Sequence, residues 1–448
     1  MFEANPDLTR HGRTMGAVAL LAIPGLVIRF GHYGLPHWFE ALLFGLAVVA
    51  AAFMLAWAAE VIQLDISAGL ALALLALIAV LPEYAVDFVF TRKAGNQFQS
   101  NGTCSGIGDA SNNCQLALAN MTGANQLLVG VGWSSVVLLA AWRIKRLARR
   151  DQLDPLHGGT SGTFALERSH SVEIAFLSIA CLWGLTLPLR SSLGLLDACI
   201  LVAIFIGYVV RIAKAPAEEP HLVGPALLIA TLPPRKRRVV VGLLFAAAAT
   251  IIMLSAEHFA EALVATGSEV GISEFLLVKW LAPLASEAPE LLVALMFAWR
   301  LNTNSALGAL VSSKVNQWTL LVGTLPIVFA ISSGGTHGLP LDTTQRLELF
   351  VTSAQTVFAI AVLSSRSFSI REAQMLLGVF LVQFGLQAAF QNNASADHKS
   401  RLIVGIVYLF MAGVLLIKER AGLRHLMRDG LITPYSEMTA EDTSITTR

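Results

Sequence analysis

Two stretches of the chain set carboxylates beside a proline inside an apolar run. In PLASEAPELLVAL, residues 283–295, Glu287 and Glu290 flank Pro289; in LPEYAVDF, residues 81–88, Glu83 and Asp87 follow Pro82. Spacings of three and four residues place each pair on one face of a helix. A proline removes an amide hydrogen and pushes off the carbonyl four residues back, here those of Ile78 and Ala285. A carbonyl freed in hydrocarbon is costly unless a partner or a polar cavity meets it. Carboxylate and carbonyl oxygens together suit hard cations such as Ca²⁺ or Na⁺, and such carboxyl groups can also carry protons.

The helices that follow each stretch add neutral oxygens. Asn120 and Asn125 come after the first, and Ser312, Ser313, Asn316 and Gln317 after the second. Lys314 stands among them, about 14 Å along a helix from its expected start near Ser305. That is too far for a relaxed snorkel to the interface, so an interior pairing with Glu287 or Glu290 is expected. A purely structural role stays open for each residue. A buried glutamate can serve only as a hydrogen-bonding group, Asp87 can pair with Arg92 or Lys93, and the Asn and Ser side chains can act as interhelical glue. Ionisable groups inside a membrane span are expensive, however, and default to function.

The elements that must position these groups are membrane helices. The 448 residues are 55% hydrophobic and 14% charged, against about 25% charged in soluble domains, and mean hydropathy is +0.66. The fold class expected is an all-α integral membrane protein with about 12 transmembrane helices. The spans run near 15–32, 38–62, 66–91, 114–142, 171–189, 193–211, 238–258, 273–299, 305–331, 345–364, 372–391 and 402–418. The first apolar run lacks a small-residue cleavage site after it, so it reads as an anchor rather than a signal peptide.

Lys and Arg set the orientation. Arg143, Lys145, Arg146, Arg149 and Arg150, then Lys214 and residues 235–238, then Arg366 and Arg371, then Lys418, Arg420 and Arg424 all fall on one side of the count. With Arg10 and Arg13 on that side too, both termini are cytoplasmic. The setting expected is a bacterial inner membrane. Residues 92–113 then lie outside, where a Cys104–Cys114 disulfide could persist; two free thiols are the alternative. Cys181 and Cys199 sit in apolar runs as packing residues. No Cys/His spacing suggests a resident metal site, and a net charge of +1 without basic arms gives no sign of a nucleic-acid partner.

The two carboxylate stretches are copies of one pattern. Ile66-Ser67 leads to Pro82-Glu83, and Ile272-Ser273 leads to Pro289-Glu290; each is followed by Ala-Leu, a small polar stretch, Asn-Gln and Val-Gly. The span count gives the copies opposite directions. Inverted repeats with interrupted polar helices are how secondary transporters build a site near the bilayer midplane. The segments expected are an N-terminal helix (1–36), a first repeat (37–142), a basic loop with connecting helices (143–237), a second, inverted repeat (238–331), C-terminal helices (332–418) and a disordered cytoplasmic tail (419–448).

At these residues the chain resembles the calcium:cation antiporter superfamily, to which sodium/calcium exchangers belong. That family carries Gly-Thr-Ser-Leu-Pro-Glu or a close variant, then Ala-Leu-Gly-Asn-x-x-Gly-Ser-Asn on the next helix. Here the first copy reads ALIAVLPE and ALANMTGAN, and the second LASEAPE and ALGALVSSK; the likeness covers mainly residues 40–140 and 240–330. It implies that Glu83 and Glu290 bind cation, that Asn120 and Asn125 are its asparagines, and that Ser286 is its Thr/Ser position. The sequence departs from the pattern at Ala79 and Val80, at Glu287, and at Ala309 and Lys314. Neutral ligands are lost while one negative and one positive charge are gained, which opens Na⁺/H⁺ or another cation/H⁺ exchange beside Ca²⁺ exchange.

The function expected is a secondary cation antiporter working by alternating access. Its cation site comprises Glu83, Glu290, Asn120, Asn125, Glu287 and Ser286, with Lys314 as charge partner and Ser313, Asn316, Gln317 and Asp87 as further polar lining. Its partners are inorganic cations and the lipid bilayer, with no bound cofactor. A passive channel would not need inverted broken helices. An intramembrane carboxylate or metal enzyme finds no nucleophile motif, no HExxH and no histidine close to the carboxylates.

Overall fold

A computed structural model describes residues 8–31, 34–65, 81–104, 112–149, 162–215, 222 and 224–438. The helices are α1 (Leu8–Phe30), α2 (His37–Ile62), α3 (Leu81–Asn101), α4 (Asn113–Leu127), α5 (Ser134–Ala148), α6 (Ser171–Gly184), α7 (Leu195–Ile212), α8 (Pro225–Ala230), α9 (Pro234–Val270), α10 (Glu274–Trp299), α11 (Thr303–Asn316), α12 (Val322–Ser332), α13 (Thr343–Leu363), α14 (Ile370–Phe390), α15 (Ala394–Lys418) and α16 (Arg420–Leu431). Among the described residues, ten helical segments are long and apolar enough to cross a membrane, or eleven if α10, bent by 58° at Pro289, counts as one span. The first part of the expected third span, including Ile66, Ile78, Ala79 and Val80, lies outside the described residues, as do residues 105–111 and 439–448.

The polarity of the bundle is inverted relative to a soluble protein. Met253 and Phe410 are 82% and 72% exposed, whereas Lys279 and Lys314 are fully buried. Apolar side chains facing outward and charges facing inward are what a lipid surround demands.

Two short ladders mark the ends of the bundle. Strand β1 (Thr163–Ala165) pairs with β4 (Ser367–Ser369), and β2 (Ser192–Leu193) pairs with β3 (Leu339–Pro340). The first lies at the end that holds the arginines after α5. The second lies at the end that holds Cys104 and Cys114, which are joined in a disulfide. At that end Asp342 caps α13 through the Gln345 amide at 2.9 Å and also accepts from the Gln115 side chain of α4.

Helices α2 and α9 pack lengthwise through alanine-rich faces that include Ala47, Ala51, Ala58, Ala248 and Ala256. They are tied at both ends. His37 meets Glu269 at 2.5 Å, and Asp65 accepts from Arg237 Nε at 2.8 Å and Arg238 Nε at 3.1 Å. These contacts make the two helices antiparallel. Helix α9 continues past the expected end at 258 to Val270, so its 37 residues span about 55 Å, well beyond a hydrocarbon core of about 30 Å.

The chain beyond Lys418 differs from the expected disordered tail as far as Met438. Helix α16 is docked at the arginine end because Asp429 takes two bonds from Arg168, at 2.7 and 2.8 Å. Arg211 adds bonds to the carbonyls of Gly430, Asp429 and Thr433. Polar residues that look solvated in the sequence are consumed here by a helix-to-helix contact.

Candidate cation site

Helices α3, α4, α10 and α11 bring the two carboxylate stretches together. Helix α10 crosses α4 closely at Gly123: a Cβ there would stand 1.7 Å from the backbone oxygen of Lys279. Only glycine permits that approach, and it falls between Asn120 and Asn125. At or just past each Asn-Gln pair the helix loosens into a π-helical turn, Leu128–Trp133 after α4 and Gln317–Leu321 after α11. Such turns are frequent at functional sites because they re-aim side chains and free backbone groups.

The centre of the site is Gln317. Its side-chain nitrogen donates to Glu83 Oε1 at 3.3 Å and also to Glu287 Oε1. The Glu83 and Glu287 carboxyl groups are themselves within hydrogen-bonding reach of each other. Both glutamates are buried, at 2% and 5% exposure. Glu290, partly exposed, follows one turn along α10 beside Ser313 and within electrostatic range of both. Glu83 Oε2, Glu287 Oε2, Gln317 Oε1 and Asn316 Oδ1 are buried acceptors with no hydrogen-bond donor among the described residues. A buried acceptor left unsatisfied costs about 1–3 kcal/mol, and a cation answers several at once.

The other expected site residues are placed less uniformly. Ser286 turns back on its own helix, donating to Pro283 O at 3.3 Å and Ala282 O at 3.4 Å. Asn125 donates to Met121 O at 2.9 Å. Asn120 Nδ2 donates to Asp87 Oδ1 at 2.7 Å, one helical turn along α3 from Glu83. Asp87 does not pair with Arg92 or Lys93, which instead bind Glu257 and Glu261 of α9 at 3.1 and 2.8 Å. His258 lies on α9 stacked on Phe44. Lys314 is fully buried, so it does not snorkel. Its ammonium donates to Asn125 Oδ1 at 2.7 Å and Asn125 O at 3.1 Å. Among the described residues it makes no direct salt bridge with Glu287 or Glu290, but its charge interacts with that of Glu287. The described residues contain no group of three or more His, Cys, Asp or Glu side chains able to hold a metal by themselves, so amide and hydroxyl oxygens have to complete any cation shell.

A second buried polar network was not foreseen in the sequence. Lys279 Nζ donates to Glu348 Oε2 at 2.6 Å and Gln387 Oε1 at 2.9 Å. Glu348 also accepts from Gln126 at 3.1 Å and Gln387 at 3.3 Å, and it pairs with Arg401. Arg401 in turn binds Asp397 at 2.8 Å. The cluster balances two positive charges against two negative ones. It ties α10 and α4 to α13, α14 and α15. Lys279 and Glu348 were legible as charges inside apolar runs. Arg401 was not, because α15 begins at Ala394 rather than near residue 402.

The model of a family described as sodium/calcium exchanger protein matches residues 37–214 and 240–389. A crystal structure titled H⁺/Ca²⁺ exchanger CAX is 35% identical over 97% of this chain and all of that one, with a TM-score of 0.81. The structure of native YfkE shares the fold at 12% identity, covering 89% of this chain and 99% of that one with a TM-score of 0.54. A selenium-substituted Ca²⁺/H⁺ antiporter protein YfkE does so at 15% identity, covering 90% and 99%, with a TM-score of 0.53. Comparison with the curated proteins gives no match. With its family model covering both carboxylate stretches, the chain belongs to the sodium/calcium exchanger protein family and is an integral-membrane cation antiporter rather than an enzyme.

Proposed function

We propose that this chain exchanges Ca²⁺, or a cation of similar hardness, for protons by alternating access. Glu83 and Glu287 hold the cation near the bilayer midplane, between two inverted repeats, with amide and hydroxyl oxygens completing its shell and Glu290 one turn away. The observation that carries this reading is the contact of Glu83 with Glu287 through Gln317. Two carboxylates touching in a low-dielectric interior repel strongly, so the pair must share a proton or a cation, and a site that alternates between the two is an exchanger. The π-helical turns close to Asn125-Gln126 and Asn316-Gln317 support the repeat. The 35% identity to a protein titled an H⁺/Ca²⁺ exchanger supports the proton as counter-ion.

Lys314 deepens the difference from a sodium-coupled site. Its ammonium sits on Asn125, one of the positions where the family resemblance implies an ion ligand. A tethered cation there takes the place of a mobile one and lowers the number of ions moved per cycle. The arginine end of the bundle is cytoplasmic in this reading, with both termini on that side. The test is Ca²⁺ uptake into proteoliposomes under an imposed pH gradient and, separately, an imposed Na⁺ gradient. Uptake driven by the pH gradient is expected; uptake driven only by Na⁺ would overturn proton coupling.

A further inference from the structure

We propose that Asp87, Asn120 and Thr91 form a second cation position, one helical turn from Glu83 toward the disulfide end, where the transported cation pauses between the midplane glutamates and that face. The inference rests on the cation-exchange reading above and adds a station to its path.

Glu83, Asp87 and Thr91 are spaced by four residues along α3, so they line one face, and Asp87 lies about 6 Å beyond Glu83. All are buried: Asp87 is 1% exposed and Thr91 and Asn120 are fully enclosed. The bond from Asn120 Nδ2 to Asp87 Oδ1 at 2.7 Å fixes the two side chains together. It uses one carboxylate oxygen and the amide nitrogen, and leaves Asp87 Oδ2 and Asn120 Oδ1 over. Those two oxygens and Thr91 Oγ1 have no hydrogen-bond partner among the described residues. A carboxylate buried with one neutral donor is not adequately solvated. The nearest cationic residues in sequence do not supply the missing charge, because Arg92 and Lys93 are held by Glu257 and Glu261. Carboxylate, amide and hydroxyl oxygens are the ligand types of Ca²⁺ and Na⁺.

The same two ion pairs join α3 to α9 just beyond Asp87.

The test is sided. Ca²⁺ half-saturation is measured in proteoliposomes of known orientation, with Ca²⁺ supplied to one face at a time, for wild type, Asp87→Asn and Thr91→Val. Asp87→Asn is expected to raise half-saturation about tenfold, and Thr91→Val about threefold, for Ca²⁺ at the disulfide face only. No change at either face, or an equal rise at both, would overturn the second position while leaving the midplane site standing. If Asp87→Asn does not fold, Thr91→Val decides alone on the same criterion. A wild type that moves no Ca²⁺ under any gradient would instead overturn the exchange reading itself.

Discussion

Glu83 and Glu287, from opposite halves of the chain, share one hydrogen-bond donor, the side-chain nitrogen of Gln317. The amide nitrogen thus bridges the two carboxyl groups. Replacing Gln317 with leucine removes the donor and leaves two buried carboxyl groups without it. Gln317→Leu is expected to cost about 1–3 kcal/mol of stability and to lower Ca²⁺/H⁺ exchange by at least about tenfold. Thermal unfolding in detergent and flux in proteoliposomes check the two parts; wild-type flux from this variant would remove Gln317 from the site.

Lys279 and Glu348 predict a different kind of loss. Each is buried, and the ammonium and carboxylate meet at 2.6 Å. Breaking a buried pair by removing one member typically costs about 3–5 kcal/mol, whereas replacing both by apolar groups can be nearly neutral. Lys279→Met and Glu348→Leu are each expected to unfold far below wild type, while the double variant recovers much of the loss. Arg401, which Glu348 also holds, keeps that recovery partial. A double variant no better than either single would show that the pair is not an interacting unit.

Gly123 tests the closeness of α4 and α10. The backbone oxygen of Lys279 stands where a Cβ would go, and a backbone atom cannot move aside as a flexible side chain does. Gly123→Ala is expected to cost at least about 1–3 kcal/mol and to reduce transport. Gly378, on α14 with nothing within 4 Å of its Cβ position, should gain about 0.5–1 kcal/mol on the same change. Melting temperatures of the two variants give the comparison directly.

Acid stability should depend on two carboxyl groups outside the spans. Hydrogen bonding to Arg237 holds Asp65 below the usual carboxylate range against the effect of its burial, with Arg238 adding to the depression. Burial pushes Asp429 up, but bonds from Arg168 and Thr433 and the charges of Arg168 and Arg366 outweigh it, so it too is depressed. A folded value below the unfolded one gives stability that is present above the unfolded pKa and lost as pH falls through the folded one. The stability difference between wild type and Arg237→Gln should therefore hold constant above about pH 5 and shrink below about pH 4. Urea unfolding across that range measures it; a difference that grows on acidification would contradict the assignment.

Much of the bundle was legible because a membrane imposes long apolar helices, and the starts of α2, α10 and α13 fall within two or three residues of the expected limits. The doubled Pro-Glu pattern pointed to Glu83, which meets Gln317, and to Glu290, which lies one turn away; the second carboxylate at Gln317 is Glu287, which the sequence marks as a departure from the family pattern. What the sequence hid were partners chosen by packing. Asn120 reads as a ligand beside Glu83, and its amide is bonded to Asp87, one turn further along the same face. Lys314 reads as a partner for Glu287; its hydrogen bonds go to Asn125, while its charge still interacts with Glu287. The α16 residues read as solvated because their charges are spent against α6 and α7, which no local pattern reveals.

The most direct test of the central claim is Ca²⁺ uptake driven by an imposed pH gradient, with wild type measured beside Glu83→Gln and Glu287→Gln. The account predicts that wild type accumulates Ca²⁺ and that each variant, folded to the wild-type elution volume, shows no gradient-driven uptake. Equal uptake by wild type and both variants would contradict it.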